Sequence, residues 1–213
     1  DRLLKSPTSQ RGRDFAVMLA SLDELGYVVE WRSFPSSDYG FPQRRKRAYI
    51  LAHAPGTEGH NALTGGITPN EWLESSGVLA RAFPIKPLEA FFGLPNFSLR
   101  SKPKDDLADI TQGFKPGKGG LSRFQGAGLM VSGRVWTTKV ESLYDGPVQT
   151  LRDVLVTPGK VPDEFIVRPP DMLKDKGWVY LKGAKSEPRK GTDGFTYEYK
   201  EGPITFPDAL DSP

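Results

Sequence analysis

Two runs of apolar residues flank one short basic segment, and that arrangement constrains the fold more than any other feature of the chain. Tyr27-Val28-Val29-Glu30-Trp31 alternates before the segment, and Ala48-Tyr49-Ile50-Leu51-Ala52 follows it. Between them, the run Asp38-Tyr39-Gly40-Phe41-Pro42-Gln43-Arg44-Arg45-Lys46-Arg47 ends with four cationic side chains and one amide in five positions. Strands are expected over 27–34 and 46–53, paired at a sheet edge. Side chains two apart on a strand share a face, so Gln43, Arg45 and Arg47 are expected to project together while Arg44 and Lys46 point elsewhere. Such a face can hold a planar carbonyl-bearing ligand together with a phosphate, because guanidinium donors are rigid and always charged. A solvated basic turn is the alternative. Upstream, Phe15, Met18, Leu19, Leu22 and Leu25 recur at three and four, which predicts an amphipathic helix from Arg13 to Leu25. Gly26 then stands where a left-handed cap is needed.

The motif segment resembles the end of the catalytic domain in DNA (cytosine-5) methyltransferases. Gly26-Tyr27-Val28-Val29-Glu30-Trp31 and then Asp38 to Ile50 match that family's pattern, with Gly40, Pro42, Gln43, Arg45 and Arg47 in register. A second stretch is similar to the recognition region of one bacterial branch. It runs from Trp178-Val179-Tyr180-Leu181-Lys182-Gly183-Ala184-Lys185 through Arg189, Gly194, Tyr197, Tyr199 and Glu201-Gly202 to Phe206-Pro207-Asp208. The two segments keep the family order, so the resemblance spans nearly the whole chain.

The resemblance implies an α/β fold. Residues 1–54 are expected to form the edge of a Rossmann-like methyltransferase sheet, a helix plus a strand pair. Residues 55–213 are expected to form a loop-rich, mainly β target-recognition domain, with the boundary near Ala54-Pro55-Gly56. Gln43, Arg45 and Arg47 are the implied catalytic-motif residues, the arginines serving the base carbonyl and a nearby phosphate and Gln43 the loop geometry. The implied reaction is base flipping followed by methyl transfer from S-adenosylmethionine to cytosine C5. Three family elements are not in this sequence: the cysteine nucleophile, the glycine-rich cofactor turn, and the Glu-Asn-Val element. The chain is therefore expected to be an interior piece of such an enzyme, inactive alone and with no cofactor bound to it. The alternative is a recognition subunit that works with a separate chain carrying the catalytic motifs. A bacterial, cytoplasmic setting follows from the family.

Composition and charge narrow the partners. With 213 residues, 37% of them hydrophobic, and with 23 glycines and 19 prolines, a loop-rich protein of one large or two small domains is expected. No apolar run approaches the roughly 18 residues of a membrane span. Zero cysteines exclude disulfides and thiolate metal sites, and His53 and His60 are two histidines only, so structural use is expected and no metal. The net charge is +3, but its distribution says more. Residues 55–110 lean acidic, with seven acids against five bases, whereas 111–140 hold Lys115, Lys118, Arg123, Arg134 and Lys139 and no acid.

A one-signed stretch lowers the free energy of a bound polyanion. Its glycines allow close backbone approach, and Phe114, Phe124 and Gln125 are interleaved. Double-stranded DNA is the expected partner, contacted by these five bases, by Gln125 as a base reader, and by Lys182, Lys185 and Arg189. A solvated loop is the bland alternative. Trp136 and Trp178 are expected to pack rather than stack on bases. Further elements are expected as short helices within 71–83 and 88–92, a hairpin turning at Ser132-Gly133, a helical turn over 151–155, an extended run over 162–167, and a strand over 178–181.

Overall fold

The computed structural model describes residues 2–87, 96–102, 104–165, 185–190 and 196–201. The expected helix over 88–92 and strand over 178–181 lie outside them, as does Lys182. The chain divides into two compact units, the division falling between Gln149 and Thr150.

In the first unit a short 3-10 turn, Leu3–Lys5, leads to helix α1, Arg13–Glu24. The Ser6 hydroxyl donates to Asp14 at 2.5 Å and, more than Arg13 does, holds that carboxyl below its ordinary range. Helix α1 ends where the sequence requires. Gly26 has φ of +77°, and the N–H groups of Tyr27 and Gly26 close on the carbonyls of Leu22 and Asp23. This is a Schellman cap, which a residue with a Cβ adopts only under strain.

Strand β1, Val28–Pro35, then pairs antiparallel with β2, Lys46–His53, in the register Trp31↔Ile50 and Phe34↔Arg47. Four short helices follow or interleave: α2 (Glu58–Thr64), α3 (Pro69–Glu71), α4 (Val78–Ala82) and α5 (Leu107–Gly113), with a π-helical turn at Trp72–Ser76. Short strands β3 (Ile85–Pro87) and β4 (Asn96–Ser98) precede the hairpin of β5 (Ala127–Val131) and β6 (Arg134–Thr138), and β7 (Val140–Ser142) pairs with β3. The hairpin turns at Ser132 and Gly133, both at positive φ (+47° and +70°), the two-residue geometry that matches strand twist.

The principal sheet has the order β2-β1-β5-β6-β4, all neighbours antiparallel, so β2 is an edge strand as expected. The fold is mixed α/β with a mainly antiparallel sheet. Strand β1 is buried along both faces because alternate residues feed two cores. Val29 and Trp31 pack with Phe15, Leu19, Phe124 and Met130 beneath α1, while Val28 packs with Leu63, Trp72, Leu73 and Leu129 on the other side. Trp136 packs partly buried against this second core.

Gly128 shows how closely the first core is fitted. A Cβ there would overlap the buried indole of Trp31. Gly128→Ala is expected to cost about 3 kcal/mol, at the upper end for overpacking, read as a drop in the urea midpoint. An unchanged midpoint would mean that the indole has room to move.

In the second unit, α6 (Leu151–Val154) matches the expected helical turn and starts on a Thr150–Asp153 capping box. The extended run expected over 162–167 is not found over 162–165, and 166–167 lie outside the described residues. Asp163–Phe165 is a 3-10 turn closed by the Phe165 N–H on the Pro162 carbonyl at 2.9 Å, a local bond that an isolated strand cannot match. Strands β8 (Lys185–Lys190) and β9 (Thr196–Glu201) form an antiparallel hairpin, Lys185↔Glu201 to Lys190↔Thr196.

Candidate nucleic-acid interface and motif loop

The motif segment is a braced loop. After β1, Ser36–Tyr39 makes one 3-10 turn, and Gly40 reverses the chain at φ +85°. A Cβ on Gly40 would strike the Pro147 carbonyl and the Tyr144 ring, so close approach as well as conformation requires glycine. The Gly40 carbonyl accepts from Gln149 N–H at 2.8 Å, and the Gln43 carbonyl accepts from Ser37 N–H at 2.8 Å. Tyr39 anchors the base. Its hydroxyl donates to the Pro84 carbonyl at 3.0 Å, burial raises its phenol above the ordinary value, and its ring meets Phe34, Phe83 and Tyr144 edge-on. Asp38 accepts from the Ser142 hydroxyl at 2.8 Å.

Above this base Gln43, Arg44, Arg45, Lys46 and Arg47 are all exposed. Strand β2 begins only at Lys46, so strand alternation assigns a face to Arg47 but not to Gln43 or Arg45, which lie in the irregular stretch before it. Arg47 faces its register partner Phe34, in line with Tyr49, whose ring stacks on Phe34 at 4.8 Å.

Behind the loop lies a buried polar group that the sequence did not mark as special. Glu30 and Arg32 are each 1% exposed and His53 is 8% exposed. Glu30 meets His53 Nε2 at 3.0 Å through Oε1 and accepts from Leu79 N–H at 3.3 Å through Oε2. Arg32 donates through Nη2 to the Leu73 carbonyl, while its Nε and Nη1 have no partner among the described residues. Desolvation lowers its guanidinium to about 10, still charged at neutral pH, with Tyr39 and Glu30 opposing the shift. Alternating charge on a strand reads as a solvent face. Here α4 and the π turn cover that face, Glu30 accepting from Leu79 N–H and Arg32 donating to the Leu73 carbonyl.

The bases expected along 111–140 divide into separate places. Lys115 and Lys118 are exposed. Lys115 and Arg123 share a cleft with Asp105 and Asp109, so the field there is mixed rather than one-signed. Arg123 lies half-buried over the Phe97 ring at 3.8 Å, and burial lowers its pKa. Arg134 donates to Asn96 Oδ1 at 2.7 Å. Gln125 and Lys139 line a different cleft, with Lys5 and Lys46. Lys46 belongs to the basic run, but only the fold brings Lys5 beside it. Phe114 and Phe124 are not interleaved for contact with bases. They are core residues, stacked 6.3 Å apart, with Phe124 edge-on to Phe15 at 4.8 Å. In the second unit, Arg189 is exposed on β8 opposite Tyr197, and Lys185 opens the same strand.

Residues 3–112 match the family model for C-5 cytosine-specific DNA methylases. Across all 213 residues the chain is 35% identical to the type II methyltransferase M.Sau3AI of Staphylococcus aureus, of which it spans 48%. It is 46% identical over 46 residues, 22% of the chain, to M.NlaIV of Neisseria lactamica, covering 11% of that protein. It is also 40% identical over 70 residues to the DNA (cytosine-5)-methyltransferase 1A of Oryza sativa subsp. japonica, 33% of this chain and 4% of that one. No solved structure matches significantly. The chain thus spans about half the length of the Staphylococcus relative. With more than half of its residues inside the family model and its full length aligned to a type II enzyme, this chain belongs to the C-5 cytosine-specific DNA methylase family.

Proposed function

We propose that these residues serve a DNA cytosine-5 methyltransferase as the duplex-binding part and as the carrier of the motif arginines. On this reading residues 1–54 form the edge of the Rossmann-like catalytic sheet and 55–213 hold target recognition, in a bacterial, cytoplasmic enzyme. The observation that carries the proposal is the motif loop. A rigid aromatic base and the tight Gly40 turn hold Gln43, Arg45 and Arg47 at the surface. A family thiolate that adds to a flipped cytosine drives negative charge toward the ring carbonyl, and preorganised guanidinium donors stabilise that charge. Arg45 and Arg47 take this role and serve the adjacent phosphate, while Gln43, whose carbonyl already closes the loop on Ser37 N–H, holds the geometry. Lys115, Lys118, Arg134, Lys139 and, on β8, Lys185 and Arg189 contact phosphates, as does Lys182. Arg123, packed on Phe97, supports them, and Gln125 is the candidate base reader.

S-adenosylmethionine supplies the methyl group in this family, but the residues described here do not fit it. The strand-to-helix turn from β2 into α2 holds a single glycine, Gly56. The Gly56 carbonyl is taken by Asn61, and the Thr57 hydroxyl caps the helix on His60 N–H. No step is therefore assigned to the cofactor, and the thiol belongs to other residues because the chain has no cysteine. A second reading, a recognition subunit that works with a separate catalytic chain, rests on the same absence of a thiol. Tritiated methyl incorporation into DNA by the purified chain alone is expected to stay at the no-protein background, with duplex binding retained. Incorporation above background would overturn the division of labour, and absence of duplex binding would overturn the DNA-contacting role.

A further inference from the structure

We infer that Tyr144, where a strap of residues 142–149 crosses the motif loop, is a positioning residue for the motif arginines, a role that rests on the catalytic reading of Arg45 and Arg47 above. Strand β2 begins only at Lys46, so no strand register fixes Gln43 or Arg45. Their placement depends on what holds the loop from outside. Three consecutive loop residues are tied to distant segments. Asp38 accepts from the Ser142 hydroxyl at 2.8 Å, the Tyr39 hydroxyl donates to the Pro84 carbonyl at 3.0 Å, and the Gly40 carbonyl accepts from Gln149 N–H at 2.8 Å. The Pro84 carbonyl also accepts from Leu143 N–H at 2.9 Å, so one oxygen, through its two lone pairs, joins loop and strap.

The strap is itself fixed at the crossing. It leaves β7, whose last residue pairs with β3 in the register Ile85↔Ser142. The Tyr144 hydroxyl then donates to the Pro147 carbonyl at 3.1 Å and closes the turn over 144–147. A Cβ at Gly146 would strike the Tyr144 ring, so the ring lies folded against its own turn. The same ring meets Tyr39 edge-on with centroids 6.0 Å apart, and a Cβ on Gly40 would strike both it and the Pro147 carbonyl. Tyr144 thus fills the space between the strap's turn and the Gly40 reversal.

This tyrosine is 40% exposed and belongs to neither hydrophobic core. Losing its ring therefore loosens the crossing without opening a core cavity. Gly40 reverses the chain just ahead of Gln43 and Arg45, so a shift at the reversal moves them directly. Residues 142–149 fall in the part assigned above to target recognition, so recognition residues set the geometry of the catalytic motif. A catalytic group misplaced by about 1 Å can cost on the order of 100-fold in rate.

Two measurements test the role. In the chain itself, trypsin cleavage after Arg44, Arg45, Lys46 and Arg47 reports how often the loop opens, because a protease cuts the transiently opened form. Tyr144→Ala is expected to be nicked there roughly tenfold faster than wild type, with the urea midpoint little changed. Tyr144→Phe, which keeps the ring, should stay close to wild type. A wild-type nicking rate in the alanine variant would overturn the strap, as would equal acceleration at every tryptic site, the mark of global unfolding.

The second measurement is single-turnover methylation in a methyltransferase that also carries the thiol and cofactor segments. Tyr144→Ala is expected to lower the rate about 10- to 100-fold with duplex affinity unchanged, and Tyr144→Phe should restore most of it. Where Arg45→Ala and Arg47→Ala are already present, Tyr144→Ala should cost less than about twofold more, because residues that act through one another do not add. The same loss in both backgrounds would overturn the positioning role. A wild-type rate in the double arginine variant would overturn the catalytic reading, and the positioning role with it, even where trypsin supports the strap.

Discussion

Replacing Arg47 with alanine, in a methyltransferase that also carries the thiol and cofactor segments, is expected to cut single-turnover methylation roughly 30- to 1,000-fold while duplex affinity changes less than about threefold. The range corresponds to about 2–4 kcal/mol, the usual worth of one preorganised donor at developing charge. Arg47 is exposed on the edge strand, on the face it shares with Tyr49, and its register partner Phe34 sits in a packed aromatic group. The backbone beneath it is thus fixed before substrate arrives, and removing the side chain leaves that base intact. Rapid-quench methylation and gel-shift binding on the same variant separate the two effects. A loss confined to binding would make Arg47 a general phosphate contact.

The largest effect on stability is expected at Glu30. Glu30→Ala removes the partner of His53 and the acceptor for Leu79 N–H, and it takes away a carboxylate that favours the charged form of Arg32. Breaking a buried ionic group from one side costs about 3–5 kcal/mol, because the remaining charge stays desolvated. Urea unfolding should show that loss. Glu30→Gln, which keeps an acceptor for Leu79, should lose visibly less. A loss under about 1 kcal/mol for the alanine variant would mean that Arg32 relaxes into solvent.

These two sites also mark what could be read from the sequence. Helix α1, its Gly26 cap, the β1–β2 pairing and the Ser132-Gly133 turn were legible because each is set by local periodicity or by a positive φ. The pairing of β1 with β5 was not, since Val29↔Met130 joins segments that no local pattern links. Nor was the cover that α4 and the π turn lay over one face of β1, which buries Glu30 and Arg32. The fold also draws Phe114 and Phe124 into the core, and Arg123 lies over the Phe97 ring. At the candidate site Gln43, Arg45 and Arg47 are exposed, but the expectation that they project from one face extrapolates strand geometry beyond the residue where β2 begins. Lys5 and Lys46 beside Lys139 are invisible without the fold, because the three come from separate segments.

The central claim is that the motif loop and the basic residues beside it face the DNA. The most direct measurement is photo-crosslinking of the chain to a duplex carrying 5-iododeoxycytidine at single positions, with the attachment sites mapped by mass spectrometry. Attachment is predicted within 36–47 and 115–139. Attachment confined to the acidic wall at Asp105 and Asp109, or to helix α1, would contradict the account.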